Sequence, residues 1–401
     1  MKIIYYSSHP QLRLNAHSGP GTHMRETIAA ITALGHEVYP VILGDELNAG
    51  TGSGGGIVKP SPLRALIKRV IPGIMWRTLK EIQLLRTDDR AADLLAKKID
   101  EIGPDLVYER GAYLQLSGVR TVRAKGITHF MELNAPFIDE VREFEQARTL
   151  LIRKARYSEK MQVQSPDLVY VVSSALKDYY SSFTSQSEKI RVVPNSVNPG
   201  YLKVDLATRN QFMDEFRLHN KKIIGFVGSI FPYHGVDILI RAFSSIAKEF
   251  PDAVLLIVGD GIILNELKEL SRHEKMEERI MFAGSRPHSE VFTWIDLMDI
   301  CVMAKSNWYG SPVKIFEYGA MGKGIIAPDT IPVNDVMKNK VDGLLIRPVD
   351  GELQEALRTF LKDNALKETL ATNFKNKVLA EYTWKKTAEK IVADYNQIKT
   401  R

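Results

Sequence analysis

Three short stretches of this chain carry residues whose types and spacing suit a phosphate ligand. The first is Ser18-Gly-Pro-Gly-Thr22, just ahead of a helical pattern. Two glycines let a backbone approach a ligand closely, and the first turn of a helix offers unpaired N–H groups to an anion. That combination suits a diphosphate, and it serves equally as a plain strand-to-helix connection. It is not a dinucleotide fingerprint: after Gly19 and Gly21 the third glycine position holds Met24, and Ser8–His17 is longer than that motif allows. The second stretch is Gly225-Phe-Val-Gly-Ser-Ile-Phe-Pro-Tyr-His-Gly235, read as a strand, a polar loop and a helix opening at Gly235. Ser229 and His234 could both reach a phosphate there, although a loop histidine can also be simply solvated. The third is Ser306-Asn-Trp-Tyr-Gly-Ser-Pro-Val-Lys-Ile-Phe-Glu-Tyr-Gly-Ala-Met-Gly-Lys-Gly324. Pro312 reads as the first helical residue, where its missing N–H costs nothing. Lys314 and Glu317 then share one helical face. Lys314 could neutralise a phosphate, and Glu317 could accept hydrogen bonds from both hydroxyls of a ribose. The alternative is a surface ion pair between the two.

These residues need elements to hold them, and the hydrophobic pattern supplies those. Lys2–Ser7 reads as a strand, Thr22–Leu34 as an amphipathic helix closed by Gly35, and Glu37–Leu43 as the next strand. Asp105–Glu109, Thr128–Leu133 and Leu168–Ser173 are further strands, each followed by a helix-compatible segment. Such alternation predicts a parallel, doubly wound sheet. The pattern restarts at Lys222, with strands at Ile223–Val227, Val254–Val258, Ile280–Phe282, Ile300–Met303, Gly324–Ala327 and Gly343–Ile346. Helices are expected at Gly235–Phe250 and from about Ile262 to His273. The turn-rich Val192–Gly200 marks the domain border. The reading is α/β with two domains: 1–200, joined by the C-terminal helix 384–401, and 201–383.

Composition bounds the function. The 401 residues are 44% hydrophobic and 25% charged, an ordinary globular balance, and the length favours two cores. Cys301 is the one cysteine and sits in an apolar run, which fits a reducing compartment. The start reads as a strand and not a signal peptide, and no apolar run is long enough to span a bilayer. A cytoplasmic protein is expected, with peripheral contact at the inner membrane face open. Net charge is +6; residues 1–197 hold 26 Lys and Arg against 21 Asp and Glu, so the excess is in the first half. No nucleic-acid motif accompanies it, and no nucleic-acid partner is expected. Residues 59–80 carry six basic and no acidic side chains around Leu63, Leu66, Ile67, Val70, Ile71 and Trp76. That segment either packs on its own domain or lies on an anionic membrane.

Taken in order, these segments resemble glycosyltransferase family 4, retaining enzymes of the GT-B fold. The resemblance rests on Ser18-Gly-Pro-Gly-Thr-His-Met-Arg-Glu-Thr, Leu34-Gly-His-Glu-Val38, Val193-Pro-Asn-Ser-Val197, Phe226-Val-Gly-Ser, His234-Gly-Val-Asp-Ile-Leu-Ile240, Val258-Gly-Asp-Gly261 and Glu317-Tyr-Gly-Ala-Met-Gly-Lys323. It implies two Rossmann-like domains facing across a cleft, the first on the acceptor side and the second binding the donor, with the last helix returning to the first. It further implies that Gly19 and Gly21 face the donor diphosphate. Ser229 and His234 stand where the family has Arg and Lys on that diphosphate, so Lys314 and Arg286 are the cations left to compensate. Glu317 matches the second glutamate of the family's pair, on the ribose; the first is Tyr309 here. Backbone groups of Ser311, Pro312 and Val313 would lie near the sugar and its phosphate. Glu132 ends a first-domain strand, where ligands of open α/β sheets bind, at a position where family members have a histidine near the reacting sugar. The catalytic set implied is Glu132, Lys314 and Glu317.

The implied reaction is retaining transfer of a hexose from a nucleotide diphosphate, by default UDP-glucose or a relative, to a saccharide or lipid-linked saccharide, of the bacterial cell-surface polysaccharide type. No Asp-x-Asp pair occurs, so no metal and no other cofactor is expected. The rivals are a nucleotide-sugar epimerase of the same fold and a sugar-nucleotide-binding protein without catalysis. Nucleotide release that depends on an added acceptor separates the transferase from the epimerase, and donor hydrolysis abolished by Glu317→Ala argues against the non-catalytic reading.

Overall fold

The computed structural model describes residues 1–16, 19–48, 73–145, 149–349 and 351–400. Gly50–Gly56 and 59–72 of the basic segment lie outside them. The chain divides into two compact units. One is Met1–Val193 together with Thr387–Arg401, and the other is Pro194–Lys386.

The first unit is a six-stranded parallel sheet in the order β2-β1-β3-β4-β5-β6. The strands are β1 Lys2–Ser7, β2 Glu37–Ile42, β3 Leu106–Arg110, β4 Thr128–Leu133, β5 Leu168–Val171 and β6 Ile190–Val192. Parallel strands covered by helices on both faces must be apolar throughout, and β4 is buried along its whole length. The helix Gly19–Ala33 follows β1, and Gly35 at φ +84° turns the chain out of it. The short strand β6 has no counterpart in the sequence pattern. The apolar run beginning at Ile74 belongs to a helix that starts at Gly73, straight after Pro72, and continues to Ile102.

The last helix, Trp384–Lys399, returns to this unit from Thr387 onward. Ala388, Ile391 and Tyr395 join the core around Ile3, Tyr5 and Tyr170. Asp394 is buried, accepts a bond of 2.7 Å from the Tyr170 hydroxyl and pairs with Arg191.

The second unit repeats the plan in the order β12-β11-β10-β7-β8-β9. Its strands are β7 Lys222–Val227, β8 Ala253–Val258, β9 Ile280–Gly284, β10 Ile300–Val302, β11 Gly324–Pro328 and β12 Leu344–Ile346. Cys301 is wholly buried in β10, and burial pushes its thiol up to about 12. The first-unit helix starts at Gly19, three residues before the expected Thr22, and in the second unit two helix starts come one residue later than expected. Gly235, at φ +67°, precedes the helix Val236–Ile246, and Pro312, in extended geometry, precedes the helix Val313–Ala320.

We expect Asp394→Ala to lower unfolding free energy by about 2–3 kcal/mol, because Arg191 and the Tyr170 hydroxyl both lose a buried partner. Asp394→Asn should cost less. Urea unfolding of the full chain measures both.

Candidate functional site

In the second unit the chemistry gathers beyond the carboxyl end of β7. Two contacts seat the helix Val313–Ala320 there. The Tyr318 hydroxyl, fully buried, accepts from the Val227 N–H at 2.9 Å and donates to the Val227 carbonyl at 3.2 Å. Gly319 lies so close to Phe374 that a Cβ would approach its ring to 2.6 Å. Seated this way, the helix carries Lys314 over the loop that follows β7. Gly228 there has φ +138°, and a Cβ on it would stand 2.3 Å from Lys314 Cε. The backbone there favours glycine, and any side chain would also push the end of Lys314 aside.

The Lys314 ammonium sits 3.1 Å from His234 Nε2 and 5.4 Å from the centre of the Phe226 ring. His234 is buried, and its Nδ1 lies 2.7 Å from the Ser229 carbonyl. Burial, and then the Lys314 charge, push its pKa down to about 3. The ring is thus a neutral acceptor toward Lys314. Burial likewise brings Lys314 down to about 8 against the pull of Glu317, and brings Glu317 up to about 7 against Lys314. Among the described residues no ion pair joins Lys314 to Glu317, so the surface-pair alternative does not apply. Both are only partly exposed.

The other expected donor-side residues divide. Ser311 is buried; its hydroxyl accepts from the Asn195 N–H at 3.0 Å and its carbonyl from Asn195 Nδ2 at 2.6 Å. It fixes the extended approach of Pro312 to the helix start at Val313, whose first N–H groups face outward along the axis. Ser229 is exposed, and it is this residue's carbonyl that is used. Arg286 is not brought to this cluster. Beyond β9, two strands from β7, its guanidinium lies over Trp294 and Phe212, bonds the Ala283 carbonyl at 2.9 Å and approaches Glu215 at 3.7 Å. The aromatic pair offers it a planar seat, which a sequence cannot reveal.

In the first unit, Gly19 opens its helix and is exposed; a Cβ there would meet nothing within 4 Å, so a ligand could approach it. Gly21 is buried and glycine for a local reason: a Cβ would meet the Ala16 carbonyl at 2.4 Å. Glu132, at the end of β4, is buried and gathers four donors. His23 lies 3.0 Å away and the Tyr108 hydroxyl 2.8 Å away on Oε2, while Arg110 at 2.5 Å and Asn134 bond Oε1. Burial would raise its pKa, but His23 and Arg110, with Asn134, hold the carboxyl well below the usual range. A carboxylate so saturated orients its neighbours more readily than it accepts a proton. Nothing in the local sequence singles out Arg110 or His23. The register that sets Arg110 opposite Glu132 is needed to find the first, and the helix face of His23 the second.

Among the described residues, no group of three His, Cys, Asp or Glu side chains could hold a metal ion, and no helix is long and apolar enough to cross a membrane.

Two parallel six-stranded sheets with these ends define the GT-B fold. Sucrose-phosphate synthase from Thermosynechococcus elongatus superimposes with a TM-score of 0.74 at 18% identity, over 100% of this chain and 99% of that one. Anabaena HepE in complex with UDP gives 0.72 at 15%, over 99% and 100%. Residues 17–201 match the family described as Glycosyltransferase Family 4, and residues 208–377 the one described as Glycosyl transferases group 1. Each model matches a little under half of the chain, and one follows the other along it, so the chain is similar to glycosyltransferases of the family 4 type. A curated relative, the GDP-mannose-dependent alpha-(1-6)-phosphatidylinositol monomannoside mannosyltransferase of Mycobacterium tuberculosis, is 24% identical over 192 residues, 46% of this chain and 50% of that protein. The chain thus spans about half the length of that relative.

The two carboxyl groups give stability opposite pH dependences. Glu317 titrates higher folded than unfolded, so its contribution is full below about pH 4.3 and is lost as pH rises through 7. Glu132 titrates lower folded, so its contribution is present above the usual carboxylate range and is lost only in strong acid. Buried Glu159, also raised to about 7, shares the sign of Glu317. We expect Glu317→Gln to reduce the fall in stability between pH 5 and 8 by on the order of 1–2 kcal/mol, allowing for partial exposure. Urea midpoints at the two pH values test it; an unchanged difference would contradict it.

Proposed function

We propose that this chain is a retaining, metal-independent glycosyltransferase that moves a hexose from a nucleotide diphosphate, with UDP-glucose or a close relative as default donor. The acceptor is a saccharide or a lipid-linked saccharide in polysaccharide synthesis. One observation carries the reading: a single half-buried ammonium, Lys314, stands with a helix start and Glu317 at the carboxyl end of β7. An ammonium brought down to about 8 by burial gains most when an anion arrives. HepE in complex with UDP, and the dependence of the mannosyltransferase on GDP-mannose, support a nucleotide donor without choosing its base.

In this reading Lys314 and the N–H groups of Ser311 and Val313 take the diphosphate, while Glu317 takes the ribose hydroxyls. The bond between the anomeric carbon and the phosphate oxygen breaks, and the acceptor oxygen bonds the anomeric carbon on the same face. The acceptor proton passes to the leaving phosphate. Charge on that phosphate is the main thing to be stabilised, and fixed dipoles with one cation do this without a metal. Gly19, exposed at the opening of its helix, is open to a ligand within the first unit. Glu132 holds His23 and Arg110 in place there and does not act as a base.

Peripheral membrane contact at the cytoplasmic face belongs to the same proposal. Met75 and Leu79 are about half exposed on the helix that continues the basic segment, whereas Arg77 is buried on Glu81 at 3.0 Å and unavailable to lipid. Flotation with anionic and with neutral vesicles checks the contact: retention by anionic vesicles alone, reduced by Met75→Ser with Leu79→Ser, is expected.

For the transferase reading, calorimetry with UDP, GDP and uridine is decisive. We expect Lys314→Ala to weaken diphosphate binding about 10–100-fold, the worth of a charged hydrogen bond, and to leave uridine binding unchanged. Glu317→Ala should weaken both, and EDTA neither. No nucleoside diphosphate binding at millimolar concentration would end the proposal.

A further inference from the structure

The sequence leads one to expect His234 on a phosphate, but the structure occupies both of its nitrogens. A carbonyl only accepts, so the 2.7 Å contact to Ser229 places a hydrogen on Nδ1. An ammonium only donates, so the 3.1 Å contact to Lys314 requires a lone pair on Nε2. The two contacts together select one neutral tautomer. The ring itself is boxed in: Tyr233 lies 4.4 Å and Phe226 5.7 Å from it, centre to centre, and the His234 carbonyl accepts from the Lys305 N–H at 3.2 Å. The Lys305 side chain is exposed, and Lys314 is the charged group that acts on the ring, while Glu317 acts on Lys314 from the same helix.

We propose that His234 is a positioning residue: fixed on the Ser229 carbonyl, it offers the acceptor that aims the Lys314 ammonium along the loop after β7. The stem of Lys314 already lies across Gly228, so its remaining freedom is the direction of its head group. One N–H spent on His234 leaves two to point at a ligand. This deepens the reading of Lys314 as the diphosphate cation and rests on it. A low proton affinity of the ring agrees with the arrangement, since a protonated His234 would repel Lys314.

The test has a ligand-free arm and a binding arm, both on the full chain. Long-range proton–nitrogen correlation spectra of the ring should show a neutral, Nδ1-protonated His234 from pH 8 down to pH 5. An Nε2-protonated ring, or one that takes up a second proton near pH 6.5, would overturn the proposal. In calorimetry, His234→Ala should weaken UDP binding about tenfold with uridine unchanged, and His234→Gln, which returns an acceptor oxygen, should stay within about threefold of the unaltered chain. His234→Lys should also bind UDP more weakly, because it sets a like charge beside Lys314. Tighter UDP binding by that variant would mean that position 234 acts on the phosphate directly, and the proposal falls. If the unaltered chain binds neither UDP nor GDP, the functional reading fails, and the spectra alone then decide whether the ring holds the ammonium.

Discussion

The second unit turns on how one short helix is seated. Tyr318 takes both the N–H and the carbonyl of Val227, closing the polar groups at the end of β7 from inside the core. A phenol buried there without those bonds would be expensive, so the helix has one register on the strand. Everything chemically notable in the unit follows from that register. It sets Lys314 over Gly228, turns the helix start toward the loop, and brings Lys314 to the one face of His234 that can accept a hydrogen.

The two units solve the same problem of charge at a strand end in opposite ways. In the first, Glu132 is surrounded by His23, Tyr108, Arg110 and Asn134 until both of its oxygens are satisfied. Its charge is locked in, and the cluster is rigid. In the second, Lys314 has one neutral acceptor, and Glu317 has no bonded cation among the described residues. Burial then drives the two toward neutrality from both sides, to about 8 and about 7. A saturated site holds a shape, whereas an undersupplied one responds to what binds it. In the proposed reading that contrast gives Glu132 a scaffolding role and Lys314 and Glu317 the ligand chemistry.

The parts legible from sequence are those written in local pattern. Period and punctuation locate β1, β4 and the last helix to the residue, and β2, β7, β8 and β11 nearly so, because strands buried on both faces are continuous apolar runs between glycines and polar turns. β6 escapes, since Ile190-Arg-Val192 has a charged residue at its centre and runs straight into the turn-rich border. The motif around Lys314 and Glu317 is legible as spacing on one helix. What stays hidden is pairing across long separations. Arg110 meets Glu132 through strand register, and His23 reaches it across 109 residues. Arg286 illustrates the converse: its position past a strand end suits a phosphate, but a stacked Trp294 and Phe212 capture it. Gly21 suits the approach of a ligand by its spacing, yet the room it makes is for the carbonyl of Ala16.

In the proposed reading, Ser229 and a neutral His234 in place of the cations that the resemblance implies have a physical sense. A further ammonium at 234 would face Lys314 at about the distance the imidazole now does, and burial would neutralise one of the two. A neutral ring with its hydrogen tied to a carbonyl avoids that conflict and leaves Lys314 the larger share of its charge near neutral pH. The cost, in that reading, is that fewer cations are left for a diphosphate. The deficit falls on the helix start at Val313, whose N–H groups do not titrate, and on Lys314, whose pKa of about 8 makes it responsive to an arriving anion. At pH above about 8 an arriving diphosphate would draw a proton onto Lys314, so in the proposed reading donor affinity and proton uptake are linked there through the Lys314 and Glu317 pair.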